Sequence, residues 1–209
     1  MAIAVTVVVC LQYVATAIFL AGLIFPADVP TTSPADADAG SGGNDLLVDL
    51  GSVLYFLFLV AGFVLSARWI YVAACNVRAL GARHLDSSPG WSVGWYAVPI
   101  MNWFRPFQAM SEIYRASHRP TEWRSQPTPP ILGFWWAAWI LSGLFGNVER
   151  FIPLESFGPL GVGSLSAGVF ANVALNTAAS ALFLSVIWRI FQAQQASHRS
   201  ASHLADTFA

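Results

Sequence analysis

The chain contains no lysine; all ten of its fixed positive charges are arginine. Charge of either sign is scarce, at 10% of 209 residues, while 56% are hydrophobic and the mean hydropathy is +0.58. A soluble domain carries about 25% charged residues, because its surface has to face water. The deficit excludes an ordinary soluble fold and makes a membrane protein the expectation. Two cysteines, Cys10 and Cys75, both in apolar runs, exclude a disulfide framework and predict free thiols.

Further absences narrow the chemistry. His84, His118, His198 and His203 all fall outside the long apolar runs, which argues against a haem held between two membrane histidines. No apolar run has an interior carboxylate, and Asp49 lies at an edge. Ion-coupled transport and intramembrane aspartyl proteolysis usually need such a group. HExxH, GxSxG and phosphate-loop motifs are missing. No catalytic residue, metal site or cofactor is therefore expected, and the chain reads as non-enzymatic.

Four apolar runs are present. Ala4–Phe25 carries no charge and as a helix reaches roughly 33 Å, enough for a hydrocarbon core of roughly 30 Å. The start MAIAV lacks the basic region of a signal peptide and the run is longer than a signal core, so a retained span is expected. Residues 26–45 hold Pro26, Pro30, Pro34, a Gly/Ser tract and only acidic charges, and predict a flexible acidic loop. The second span is expected at 47–71, with helical character continuing through Asn76 to Leu80. The third is expected at 131–148, opened by Thr128-Pro129-Pro130, and the fourth at 164–190. Residues 192–209 read as a polar tail.

Between spans two and three, residues 72–130 form an Arg- and Trp-rich segment. Ser88 suits a helix N-cap and Pro89 the first helical position. The apolar run Trp91–Phe104 covers only about 21 Å as helix, too short to span, and Pro99 breaks its hydrogen-bond ladder. This predicts a re-entrant or interfacial element. Pro106–Ser117 predicts an amphipathic helix with Phe107, Met110 and Tyr114 on one face and Gln108, Glu112 and Arg115 on the other. Such a helix suits the membrane interface or a cap on the bundle. Arg68 either snorkels to the interface beside Trp69 and Tyr71 or pairs with Glu112.

Seven of the ten arginines lie between Arg68 and Arg124, two more are Arg189 and Arg199, and only Arg150 falls in the third loop. With four spans, the positive-inside rule places the central segment and both termini in the cytoplasm. Basic and aromatic residues together also suit a nucleic-acid surface, but these tryptophans fit interface positions, so membrane lipids and no nucleic acid are expected. Arg78, Arg83, Arg115 and Arg119 are expected to attract anionic headgroups.

On the fourth span Gly168, Asn172, Asn176 and Ser180 recur every four residues and form one polar stripe. Such a stripe either packs helices together or lines a polar path. As a ligand site it would comprise Asn172, Asn176, Gln12 and Asn102.

The stretches RWIYVAACNVRALGA, SPGWSVGWYAVPIMNWFRPFQAMSEIYRAS and ILGFWWAAWILSG resemble domain-of-unknown-function family 4328 of bacterial membrane proteins. Trp69, Tyr71, Asn76, Leu80, Pro89, Trp91, Trp95, Pro99, Asn102, Pro106 and Glu112 stand where that family's pattern places them. The resemblance implies a bacterial inner-membrane location and no particular activity. The expected fold is an all-α membrane protein: four transmembrane helices with a cytoplasmic re-entrant or interfacial amphipathic insertion between spans two and three. The expected role is an accessory or scaffold subunit that packs against lipids, a membrane-protein partner or a second copy. The alternative is a small-molecule or lipid-binding transport or sensing module. A third arrangement, an enzyme, would bring Arg68, Glu112 and Asn102 into one cytoplasmic pocket.

Overall fold

The structure, a computed structural model, describes residues 1–24, 34–151 and 159–208, and side chains for 1–18, 49–145 and 171–200. Among these residues all regular structure is helical. The α-helices are α1 (Ala2–Ile24), α2 (Pro34–Ala79), α3 (Pro89–Gly94), α4 (Arg105–His118), α5 (Pro130–Phe151) and α6 (Pro159–Phe208). Two helical stretches are long and apolar enough to cross a membrane, Asp49–Ala79 and Ala171–Ser200. The apolar stretches Ala2–Ile18 and Pro130–Phe145 are shorter over the residues with described side chains.

Two helices exceed their expected bounds. The linker expected over 26–45 is helical from Pro34 onward, while residues 25–33 lie outside the described residues. Proline is pre-organised for a first helical turn, and Asp36 and Asp38 sit near the positive end of the helix dipole. The tail expected over 192–209 instead continues α6 to Phe208.

The chain divides into two compact units, Met1–Arg68 and Trp69–Ala209. In the first, α1 runs beside α2 at a small-residue contact. A methyl group placed on buried Gly62 would lie 3.6 Å from Val8 Cγ1 and 3.9 Å from Gln12 Oε1, so the missing side chain lets the two helices approach. Ala2, Val5 and Ala15 are buried on α1, but many other apolar side chains in this unit face outward. Ile3, Val7, Leu11 and Val14 form an exposed stripe on α1, and Val53, Phe56, Leu57, Val60, Phe63 and Val64 are exposed around α2. Together with its length and apolar character, this exposed face makes Asp49–Ala79 a candidate membrane span.

In the second unit burial is restricted to one stripe per helix. Ile70, Ala73, Ala74 and Val77 are buried on α2; Ala109, Met110, Ile113 and Ala116 on α4; Leu132, Trp135 and Ala138 on α5; Val186, Ile187 and Ile190 on α6. Each set follows the three-and-four spacing that puts side chains on one helical face. α5 and α6 are antiparallel: Trp135 stacks on Phe183 with ring centroids 5.4 Å apart, and further along Asn172 Nδ2 donates to the Ser142 carbonyl at 2.8 Å. The buried face of α4 differs from the expected one. Glu112 and Ser117 are buried with it, whereas Phe107 and Tyr114 are only partly covered, because polar partners inside the unit compensate the cost of desolvating Glu112 and Ser117.

The central insertion divides as its prolines predict. Ser88 Oγ accepts the Trp91 N–H at 3.3 Å and Pro89 occupies the first turn of α3. Two single 3₁₀ turns follow, Trp95–Ala97 and Met101–Trp103, separated by Val98-Pro99-Ile100, and α4 then starts with Pro106 in its first turn. Trp136 on α5 anchors the insertion: its Nε1 donates to the Trp103 carbonyl at 3.2 Å, and its ring lies 6.4 Å from that of Phe107.

Candidate functional site

The second unit contains a polar seam that crosses three helices. Gln194 on α6 is buried; its Nε2 donates to Ser117 Oγ at 3.0 Å and to the Ala73 carbonyl at 3.3 Å. Its Oε1 accepts from Asn76 Nδ2 at 2.9 Å. Ser117 in turn donates to the Ile113 carbonyl at 2.7 Å. One side chain thus ties α2, α4 and α6 together. With these partners present the buried amide is satisfied; without them it would be a costly orphan.

A second polar cluster lies where α2 ends. Gly81, at φ +96°, closes the helix: its N–H donates to the Arg78 carbonyl at 3.0 Å, and the Ala82 N–H donates to the Val77 carbonyl at 3.0 Å. This is the Schellman pattern, whose left-handed residue is usually glycine. The chain then passes back over α4. Arg78 donates to the Ala74 carbonyl at 2.6 Å and to the Ser87 carbonyl, while the Ser87 N–H donates to Glu112 Oε2 at 3.4 Å. The Ser87 peptide therefore bridges an arginine on one side and a carboxylate on the other. Burial pushes the Glu112 carboxyl above its ordinary range; the Ser87 N–H pulls it back, and the negative charge of Asp86 pushes it up again.

The loop after α4 locks onto the same turn. Trp123 is buried and its Nε1 donates to the Arg83 carbonyl at 2.9 Å; Arg124 donates to the His84 carbonyl at 2.8 Å. The guanidinium groups of Arg115 and Arg124 each lie 5.3 Å from the centre of the Trp123 ring. His84 sits at φ +57°, the one positive φ among described non-glycine residues. Histidine is tolerated there better than most residues, and the two carbonyl contacts hold it in place.

In the insertion, Trp91 and Trp95 pack with centroids 4.4 Å apart, and Arg105 lies 5.3 Å from the Trp95 ring. Three buried polar atoms, Trp95 Nε1, Tyr96 Oη and Asn102 Oδ1, have no hydrogen-bond partner among the described residues. Burial pushes the Tyr96 phenol far above its ordinary value, so it stays neutral. Trp91, Ile100, Met101, Trp103 and Phe104 are exposed at this tip.

The ligand set expected from sequence is not assembled within one unit. Asn172 and Asn176 are one turn apart on α6, with Asn176 Nδ2 donating to Asn172 Oδ1 at 2.9 Å, and Asn172 itself binds α5. Asn102 lies in the insertion, and Gln12 belongs to the first unit beside Gly62. Gly168 is outside the described side chains. Of the pattern residues, Asn76 and Glu112 are bound into the two polar clusters. Trp69 and Pro106 are buried, Tyr71 is exposed, and Pro89 and Pro99 shape the insertion. Arg68 closes the first unit, while Glu112 takes its partners within the second. Among the described residues no three His, Cys, Asp or Glu side chains converge as metal ligands would.

Gln194, Ser117 and Ser87 went unmarked in the sequence. Gln194 continues the Val186–Ile187–Ile190 stripe by one turn, which was the available signal; Ser87 left none, since its peptide and not its side chain makes both contacts. A family pattern described as Domain of unknown function (DUF4328) matches residues 32–195. No curated protein and no solved structure matches the chain.

Proposed function

The chain belongs to domain-of-unknown-function family 4328, and from that premise we propose that it is a non-enzymatic membrane protein, an accessory or scaffold subunit that packs against lipids and a larger membrane complex. The observation that carries this reading is the outward-facing apolar surface of the first unit, with Phe56, Leu57, Val60, Phe63 and Val64 exposed around one helix. Such a surface is stable only against hydrocarbon or another protein's transmembrane face. In this reading α1, α2, α5 and α6 supply four spans in a bacterial inner membrane. Both termini and the Arg-rich centre are cytoplasmic, and Trp91, Ile100, Trp103 and Phe104 rest the insertion in the interface.

The alternative, a transport or sensing module that binds a small molecule or lipid through the α6 stripe, has less support. Asn172 uses its amide to hold α5, which favours packing as the role of the stripe. Gentle extraction followed by native mass spectrometry with lipids retained separates the two. The accessory reading expects a stoichiometric membrane-protein partner or a second copy. A lone protomer without a partner under every mild extraction condition would sink it, and a lone protomer carrying one defined small molecule would favour the alternative.

A further inference from the structure

We propose that the cleft between the Gly81–His84 turn and the Thr121–Ser125 segment is a phosphate-binding site centred on Arg83. The cleft encloses about 470 Å³ and is lined by Arg83, His84, Glu122, Trp123 and Arg124 among others. That volume lies within the range of small-ligand sites, roughly 300–1,000 Å³.

The fold has already used most of the positive charge near this cleft. Of the four arginines that composition alone would offer to anionic headgroups, three are engaged internally. Arg78 is spent on the Ala74 and Ser87 carbonyls. Arg115 covers the Trp123 ring and donates to the Ser111 carbonyl at 3.2 Å. Arg119 pairs with Glu122 at 3.4 Å, which also neutralises the one carboxylate lining the cleft. Arg83 differs: its carbonyl is held by Trp123, while its guanidinium has no partner among the described residues. Arg124, which also lines the cleft, is fixed by the His84 carbonyl and paired with Asp86 at 3.8 Å, so Arg83 carries the uncompensated charge.

Two guanidinium groups, those of Arg83 and Arg124, line the cleft against one carboxylate, Glu122, which Arg119 already pairs. The surplus is positive and set against a buried indole floor. The two ties from Trp123 and Arg124 hold the turn that carries Arg83, so the charge is presented on a fixed backbone. A planar guanidinium with free donors matches a phosphate in geometry as well as sign. The phosphate could belong to a lipid headgroup or to a soluble phosphate compound. The proposal does not rest on the accessory role, since a protein of either kind could carry it.

The test uses the full-length protein with inorganic phosphate as one probe, in uncharged detergent at constant ionic strength, read by calorimetry. The other probe is retention of phosphatidylglycerol against phosphatidylcholine from mixed vesicles, counted by native mass spectrometry. Arg83→Gln is expected to weaken binding about tenfold, the loss of one charge-assisted contact. Arg105→Gln, the same charge change in the insertion, is expected to weaken it less than about twofold. Arg83→Lys, which keeps the charge and loses the fork, is expected to fall between them and guards against a misfolded glutamine variant. Saturation by inorganic phosphate identifies a soluble ligand, and selective retention of phosphatidylglycerol without it identifies a headgroup; both outcomes support the site. Equal losses at Arg83 and Arg105, or no preference for either probe, would overturn it.

Discussion

Residues 49–65 and 69–79 lie on one helix, α2, yet they are organised by different surroundings. In the first stretch a broad apolar face points outward, with Val53, Phe56, Leu57, Val60, Phe63 and Val64 all exposed, while Gly62 on the opposite face meets α1. In the second Trp69, Ile70, Ala73, Ala74 and Val77 are buried on one stripe, while Tyr71 and Val72 face out and Asn76 reaches a polar partner. An apolar face with no protein over it has no partner to select its residues, whereas a helix packed against several elements buries a defined stripe. The change falls at Arg68-Trp69, where the polar hydrogen bonds that join elements of the second unit begin. Hydrophobicity alone therefore misjudges what each half contributes to stability.

Paired truncations separate the two stretches most directly. Leu132→Ala, at a fully buried position in the second unit, is expected to cost about 3 kcal/mol, whereas Phe56→Ala, exposed in the first, is expected to stay within about 0.5 kcal/mol. Both are read from unfolding in a mild detergent, and equal costs would mean that α2 is covered by protein at Phe56. Next in size, Gln194→Ala strands Asn76 and Ser117 and is expected to cost about 2 kcal/mol. If thermal unfolding is unchanged, the seam between α2, α4 and α6 is not structural. Trp123→Phe keeps most of the ring but loses the bond to the Arg83 carbonyl, an expected cost of about 1 kcal/mol. Protease sensitivity in the 80–88 loop should rise with it.

Glu112 sharpens the comparison through pH. Burial raises its carboxyl in the folded state, so the folded protein keeps a proton that the unfolded chain has released. Its contribution to stability is most favourable below the unfolded carboxyl range, declines as pH rises through the window up to the raised folded value, and is constant above it. Glu112→Gln removes that decline. The variant should lose less stability than the parent between pH 4 and pH 7, and an identical difference in the two proteins would show that Glu112 is not desolvated. The smallest effect is expected at the exposed Arg119–Glu122 pair, where Arg119→Ala should shift stability by less than about 0.5 kcal/mol.

Helix capping and helix breaks were legible residue by residue. Ser88 with Pro89 marked the start of α3, and Pro99 marked the break between the two 3₁₀ turns. Both act through their own backbone or side chain within a few residues, so no distant contact was needed to read them. The ends of α2 and α6 were less legible. Pro34, Asp36 and the glycines resemble a linker in composition, and the Gln192–Ala209 stretch resembles a tail, yet the backbone is helical in both. Glu112 illustrates the same limit: its position on α4 suggested a solvated face, and a peptide twenty-five residues earlier accounts for its burial.

Composition and periodicity alone thus mark the helical class, the apolar helices long enough to cross a membrane and the placement of the arginines, because these depend on each residue's own solvation and on its nearest neighbours along the helix. Which arginine carbonyl takes the Trp123 indole, which glutamine joins three helices and which asparagine holds a neighbouring helix depend on pairings across thirty to more than a hundred residues. Those pairings carry no local signature, since a hydrogen bond is made by whatever polar group the fold brings within about 3 Å, not by the residues beside it in the chain.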